Sequence, residues 1–292
     1  MKNPIRILIL LMIIFCFGCS SSNSPTNSNP NPNPNPNQFP KNIPGYFYSE
    51  NVIDTYITDL ALPDGYDQNN SQGYHTIYLL DSDRWFDIAD SVIGELVNTS
   101  TIPPVILIGV RSPSEQTRAR DFFYPHMRSQ GPSNGHADNF YNFLKLELIP
   151  FVDSAFNSQA GSNGRTLIGW SGSGYFVIWD LFNYNPPSEP LMFHNYLTIS
   201  PGSFWWDNYN IIDMIDSSAA SSNNNIPANL FMTIGEFETD TLIIEWNMMD
   251  SIFSSKPYTN FNYQSQYFQG TEHFSTIPAP SISSGLTWFF GL

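Results

Sequence analysis

A serine lies in a small-residue segment whose pattern is typical of a catalytic nucleophile. The segment follows an apolar run that predicts a strand, and it reads Gly169-Trp170-Ser171-Gly172-Ser173-Gly174. In strand–turn–helix units of this kind, small neighbours let the strand and the helix approach closely, and the serine hydroxyl is exposed on the turn. Gly169 stands two positions before Ser171, and Ser173 replaces the usual glycine two positions after it. We predict that Ser171 is the nucleophile, although a loop without a role would show the same residues.

A serine nucleophile needs a base that takes its proton, and histidine is the most common one. Enzymes built on this turn carry serine, acid and histidine in that chain order, so only the histidines after Ser171 qualify. His194 precedes a predicted strand, whereas His273 follows one. Ligands of parallel sheets bind beyond the carboxyl ends of the strands, and we therefore predict His273 as the base.

The acid that orients the histidine should follow the strand predicted at Leu230–Ile234. Three carboxylates come directly after it, at Glu236, Glu238 and Asp240. Glu238 is the first choice and Asp240 the second. The alternative is that acidic residues here only favour the start of the next helix.

The reaction would also need two backbone N–H groups that stabilise the negative oxygen of the intermediate. One should be Gly172, directly after the nucleophile, and the other should lie after Leu80, near Asp83. No His/Asp spacing typical of metal ligands stands out, and two cysteines are too few for a cysteine-rich metal site. We therefore predict neither a metal nor another cofactor.

Strand-like apolar runs alternate with helix-like segments from residue 46 to residue 292, which predicts an α/β domain with a mostly parallel sheet and helices on both faces. Hydrophobic periodicity predicts a helix over residues 138–156, kinked at Pro150. Residues 217–225 are predicted to form a polar loop.

The N-terminus predicts an export signal and a tether. Basic residues precede an apolar run that is shorter than a membrane-spanning helix, and Gly18-Cys19 closes it. The pair is similar to a bacterial lipobox, which would make residues 1–18 a lipoprotein signal peptide and Cys19 the lipidation site; an ordinary secretory signal is the alternative. Residues 19–45 include alternating Asn and Pro, which predicts an extended, disordered tether. We expect a membrane-anchored bacterial lipoprotein on the periplasmic or outer-membrane face.

The charge narrows the range of partners. The chain has 292 residues and a formal net charge of −15, and this argues against nucleic acid, which binds Lys and Arg. The expected partner is a small-molecule or glycan-linked ester, and the expected membrane contact is made through the N-terminal lipid alone.

Six segments at the ends of the predicted elements make the prediction of fold and function more specific. They are Tyr78–Asp83 (Y-L-L-D-S-D), Arg118–Phe122 with Pro125, Phe143–Val152, Ser200-Pro201 with Trp205-Trp206, Gly235–Glu238 (G-E-F-E), and Glu272–Phe274 with Pro278 and Pro280. Together they resemble, in order, motifs of the esterase family of α/β-hydrolases, which includes members similar to esterase D, enterobactin esterase and feruloyl esterase. The resemblance spans nearly the whole domain.

The resemblance implies an α/β-hydrolase fold and ester hydrolysis through an acyl-enzyme, with Ser171 as nucleophile, His273 as base and Glu238 as acid. The chain departs from the family at Trp170, where histidine is common, and at Ser173. Trp170 is therefore expected at the substrate pocket.

Other family positions allow two interpretations. Arg118 could receive an anionic or catecholate acyl group, or it could be structural, as we expect for Arg120 and Asp121. Trp205 and Trp206 could wall an aromatic or carbohydrate-linked substrate, or they could pack at the rim.

The predicted function is a cell-envelope serine esterase that acts on a small or aromatic acyl ester, of feruloyl-polysaccharide, acetyl-polysaccharide or siderophore type. Two alternatives stay open at this point: an acyltransferase on the same fold, and a degenerate, non-catalytic binding protein.

Overall fold

The computed structural model describes residues 45–123, 135–183, 190–202, 204, 210–274 and 277–291. Its strands are β1 (Gly45–Ser49), β2 (Asp54–Ala61), β3 (His75–Leu80), β4 (Val105–Arg111), β5 (Arg165–Trp170), β6 (Asn195–Ile199), β7 (Asn225–Gly235) and β8 (Thr259–Phe268). The helices are α1 (Ser82–Asn98), α2 (Glu115–Phe122), α3 (Ala137–Phe143), α4 (Ile149–Ala155), α5 (Gly172–Phe182), α6 (Asn210–Ser221), α7 (Asp240–Ser255) and α8 (Pro278–Gly291).

The strands form one eight-stranded sheet in the order β1-β2-β4-β3-β5-β6-β7-β8. β1 pairs antiparallel with β2, and β2 pairs antiparallel with β4, whereas all the other pairs are parallel. The predicted fold class, a mostly parallel α/β-hydrolase sheet, is confirmed. Because parallel strands end at the same edge, the segments that follow β3, β5, β6, β7 and β8 gather there.

Two hydrophobic layers cover the sheet because successive strand residues point to opposite faces. Tyr78 and Leu80 of β3 join the layer beneath α2 to α7, while Ile77 and Leu79 join the layer beneath α1 and α8. Every residue of β5 is buried, as expected for a central parallel strand that is covered on both sides.

The helix predicted over residues 138–156 is present in three parts. α3 runs into a π-helical turn at Leu144–Leu148, and α4 follows. Pro150 lacks an N–H, and its ring would collide with the carbonyl of Leu146 in a regular helix, so the preceding turn widens.

The polar loop predicted over residues 217–225 is wrong for most of its length. α6 continues to Ser221, and β7 already begins at Asn225. Ile211 and Ile215 anchor α6 in the core, so tertiary packing outweighs the weak helix propensity of its serines.

Candidate active site

Ser171 occupies a sharp turn between β5 and α5. Its backbone has φ 56° and ψ −113°, a conformation that a residue with a side chain rarely adopts. The turn is held by its own backbone: the Ser171 N–H donates to the Ile199 carbonyl at 2.9 Å, and the Ser171 carbonyl accepts from Tyr175 N–H at 3.0 Å. A Cβ at Gly169 would lie 2.4 Å from the Ser173 carbonyl oxygen, so only glycine fits there. The predicted strand–turn–helix geometry is therefore present around Ser171.

His273 lies in the loop between β8 and α8, with a largely buried ring. The ring packs against the Trp170 indole, with centroids 4.4 Å apart. The indole Nε1–H of Trp170 also donates to the His273 carbonyl at 3.0 Å. Trp170, the residue before Ser171, thus contacts both the ring and the backbone of His273.

Glu238 is the carboxylate that meets the histidine. His273 Nδ1 lies 2.7 Å from Glu238 Oε2, and the Glu238 side chain is fully buried. Among the described residues, neither of these two atoms has another hydrogen-bond partner. Glu238 Oε1 accepts a hydrogen bond of 2.5 Å from the Ser200 hydroxyl, so both carboxylate oxygens have contacts.

The other two acidic residues after β7 have different positions. Glu236 is exposed, and its Oε2 accepts from the Gly270 N–H at 2.7 Å, which links the loops after β7 and β8. Asp240, the second choice for the acid, is the exposed first residue of α7, directly after the N-cap residue Thr239. The geometry therefore favours Glu238.

The two predicted oxyanion donors lie at the starts of helices. Gly172 begins α5, and Asp83 is the second residue of α1. First-turn N–H groups have no backbone carbonyl partner within their own helix. The start of α1 packs against the nucleophile turn, because the Trp85 and Trp170 rings are 5.0 Å apart in an edge-to-face contact.

Two residues predicted to contact substrate are engaged by the protein itself. Arg118 forms a two-pronged ion pair with Asp81, through Nε at 2.7 Å and Nη2 at 2.8 Å, and its side chain is 15% exposed. Trp170 is 3% exposed and supports His273. The described contacts of both residues are thus with the protein itself, which agrees with the structural interpretation of Arg118. The place of Trp170 at the substrate pocket stays a prediction.

Of the remaining predicted residues, some are described by the structure and others are not. Asp121 is buried and bound by Arg120 Nε at 2.6 Å and by the Tyr56 hydroxyl at 2.7 Å, as expected for a structural pair. Trp205, Trp206 and Cys19 lie outside the described residues.

Three residues to which the sequence analysis gave no role of their own adjoin the histidine–glutamate pair, by contact or in the chain. The Ser200 hydroxyl donates to Glu238, and the φ of Ser200 is 43° at the turn after β6. Phe237 and Phe274 adjoin Glu238 and His273 in the chain, and both rings are about two-thirds exposed, at 65% and 66%. The sequence signal that could have identified these two rings is their position, one beside Glu238 and one beside His273.

Within the described part of the chain, no helix combines the length and the apolar character that a membrane crossing requires. Within the same part, no group of three or more His, Cys, Asp or Glu side chains could hold a metal ion.

Comparison with known proteins identifies the family. The model of the family described as "Putative esterase" matches residues 52–276, which include Ser171, Glu238 and His273.

Three solved structures share the fold. The BES protein from Bacillus cereus superposes with a TM-score of 0.74 at 24% identity, covering 89% of this chain and 99% of that one. An IroE-like serine hydrolase from Shewanella oneidensis gives 0.72 at 22% identity, with 86% and 80% covered.

The third is the siderophore hydrolase EstB from Aspergillus nidulans, with a TM-score of 0.70 at 18% identity and coverage of 88% and 98%. At these identities the structures show the shared fold, and the family match extends over most of the chain. The chain therefore belongs to the esterase family of α/β-hydrolases and is an ester hydrolase.

Proposed function

We propose that this protein is a serine carboxylic-ester hydrolase in which Ser171 is the nucleophile, His273 the base and Glu238 the acid that orients the histidine. One observation carries the proposal: His273 Nδ1 lies 2.7 Å from the buried Glu238 carboxylate, on a ring packed against the residue before the strained Ser171. A carboxylate at Nδ1 leaves Nε2 as the nitrogen that accepts the proton.

In the first half-reaction, Ser171 Oγ attacks the ester carbonyl carbon while His273 Nε2 takes the hydroxyl proton. The carbonyl oxygen becomes negative, and the N–H groups of Gly172 and Asp83 stabilise it. The C–O bond to the alcohol then breaks, and His273 returns the proton to the leaving oxygen. An ester between the acyl group and Ser171 remains.

In the second half-reaction, water attacks the acyl carbon and gives its proton to His273. The bond to Ser171 Oγ breaks, and the histidine protonates the serine. The products are one carboxylic acid and a free enzyme. Throughout, Glu238 stabilises the charged imidazole and holds its orientation, and Ser200 holds Glu238.

The substrate is a small or aromatic acyl ester, either glycan-linked (feruloyl or acetyl) or of siderophore type. The exposed rings of Phe237 and Phe274 support the aromatic class, because they can stack on an aromatic acyl group at the mouth of the site. The solved structure of EstB, a siderophore hydrolase, is consistent with an ester of siderophore type.

The place of action is the bacterial cell envelope. The signal-like residues 1–18, Cys19 and the Asn/Pro-rich residues 19–45 support export, lipidation and a tether to the membrane. Replacement of Cys19 by Ala should move the exported protein from the membrane fraction to the soluble fraction; an unchanged distribution would contradict lipidation at this residue.

The central test is labelling with a fluorophosphonate, which forms a covalent bond with activated serines. We expect wild-type protein to gain one adduct at Ser171, located by peptide mass spectrometry, and Ser171→Ala to gain none. Ser158→Ala, which removes a hydroxyl bonded to Asp153, is the matched control and should still be labelled at Ser171. Folded wild-type protein that is not labelled at Ser171 would overturn the mechanism.

Turnover then tests the reaction class. Wild-type protein should hydrolyse p-nitrophenyl acetate and methyl ferulate, and Ser171→Ala should hydrolyse neither. A product ester formed on an added alcohol in preference to the free acid would identify an acyltransferase instead.

A further inference from the structure

The hydroxyl of Ser173 bonds to both Trp170 and Asp81, and no step of the proposed reaction uses it. We call this set of contacts the junction. Ser173 is fully buried, and its Oγ accepts from the Trp170 N–H at 2.8 Å. The same oxygen lies 2.7 Å from Asp81 Oδ2 and 2.9 Å from the Trp170 carbonyl. With a single proton to donate, the hydroxyl favours the charged and nearer acceptor, Asp81.

Asp81 is the second part of this junction. It follows β3, has φ 54° and ψ 37°, and is 1% exposed. Its carboxylate receives two N–H groups from Arg118 as well as the Ser173 hydroxyl. A buried carboxylate with three donors is well satisfied, so Asp81 is fixed by two segments that are distant in sequence.

The junction lies where the sheet hydrogen bonds stop. The β3–β5 pairing ends at Leu79 and Ile168, because the chain turns away at Asp81 to begin α1. Trp170, two residues further along β5, lies beyond the β3–β5 ladder, and its N–H bonds to Ser173. In this way Ser173 connects the ends of two neighbouring strands beyond their ladder.

The two connected turns are those that carry the proposed oxyanion donors. Gly172 lies between Ser171 and Ser173, and Asp83 lies two residues after Asp81. Arg118 strengthens the connection: a Cβ at Gly172 would lie 3.1 Å from its Nη1, so the guanidinium packs on the nucleophile turn while it binds Asp81. A shift of either turn would change the distance between the two donors.

We infer that Ser173 is a positioning residue: its hydroxyl sets the spacing of the Ser171–Gly172 turn and the Asp81–Asp83 turn, and thereby the geometry of the oxyanion site. The inference rests on the proposed serine mechanism. Glycine is usual at this position of the nucleophile motif and has no hydroxyl, so this connection is a property of the present chain.

The test separates positioning from folding. Ser173→Gly and Ser173→Ala are compared with wild type in kcat and KM for p-nitrophenyl acetate. Inhibition constants are measured for a trifluoromethyl ketone, which adds to the serine and places an oxyanion in the site, and for acetate, which mimics the product. The matched control is Thr166→Val, which removes a buried hydroxyl at the opposite end of β5, where it bonds to His75.

We expect kcat and the affinity for the ketone to fall by about tenfold or more in both Ser173 variants, and the two quantities should fall by similar factors. KM and the inhibition constant for acetate should change by less than about twofold. Thr166→Val should keep all four values. Folded variants with the kcat and the ketone affinity of wild type would overturn the inference. A failure of both variants to fold would also overturn it, since the hydroxyl would then be needed for stability. Wild-type protein without Ser171-dependent turnover would instead overturn the proposed function.

Discussion

Glu238 Oε2 lies 2.7 Å from His273 Nδ1, while Glu238 Oε1 accepts a hydrogen bond from the Ser200 hydroxyl. The carboxylate is therefore held on both oxygens, one toward the base and one toward the end of β6. Because the side chain is fully buried, these contacts act in a low-dielectric setting in which orientation and charge count for more than in water.

Glu238→Gln should lower kcat by about a thousandfold with little change in KM, because an amide stabilises the charged imidazole poorly and can select the wrong tautomer. Asp240→Asn is the control and should stay within about twofold of wild type, since Asp240 is exposed at the start of α7. Steady-state kinetics on p-nitrophenyl acetate measure both. The opposite ranking of the two variants would make Asp240 the acid.

Ser200→Ala should lower kcat by about tenfold while the protein stays folded. The substitution leaves one buried oxygen of Glu238 without its donor, which costs about 1–3 kcal/mol and loosens the acid. The backbone strain at φ 43° is the same for Ser and Ala. Ser281→Ala, which removes a buried hydroxyl bonded to Thr233, is the control and should leave kcat unchanged. Equal kcat values for the two variants would contradict a role of Ser200 in holding Glu238.

Phe237→Ala should reduce kcat/KM for methyl ferulate by about tenfold and change that for p-nitrophenyl acetate by less than about twofold, because aromatic pairs contribute about 0.5–1.5 kcal/mol beyond the area they bury. Leu146→Ala, a similarly exposed apolar side chain on the π-helical turn, is the matched control. A parallel loss on both esters would show that Phe237 supports the site rather than the acyl group.

Asp180→Asn should stabilise the protein increasingly as pH rises. Burial in α5 raises the pKa of Asp180 to about 8, against smaller opposing effects of Tyr196 and Lys145. The folded protein therefore keeps a proton that the unfolded chain loses near pH 4, and stability conferred by this group falls as pH rises from 4 to 8. Between these two pH values, the unfolding free energy that this group contributes falls by about 1.4 kcal/mol per pH unit.

Urea unfolding at pH 5, 6, 7 and 8 measures this effect. The difference in unfolding free energy between Asp180→Asn and wild type should grow in favour of the variant up to pH 8 and then level off. A difference that does not change with pH would show that Asp180 titrates alike in the folded and unfolded states.

The sequence-based predictions for the fold succeeded where the local pattern and the final packing agree. β5 reads as an unbroken apolar run and is buried along its whole length. α6 is the counterexample, because the packing of two isoleucines, and not the serine-rich pattern, decides that it is helical. β1 has no distinctive pattern of its own; its antiparallel pairing with β2 gives it strand structure.

The sequence by itself determined the order of the chemical groups, the turn around Ser171 and the fold class, because these depend on short patterns and on residue size. The sequence also ranked Glu238 first among three neighbouring carboxylates. Only the tertiary structure shows that Glu238 contacts His273, that Arg118 pairs with Asp81 and that Ser200 bonds to Glu238. These partners are 35, 37 and 38 positions apart in the chain. Which of them meet depends on how strands far apart in sequence align at one edge of the sheet, and local spacing does not encode that alignment.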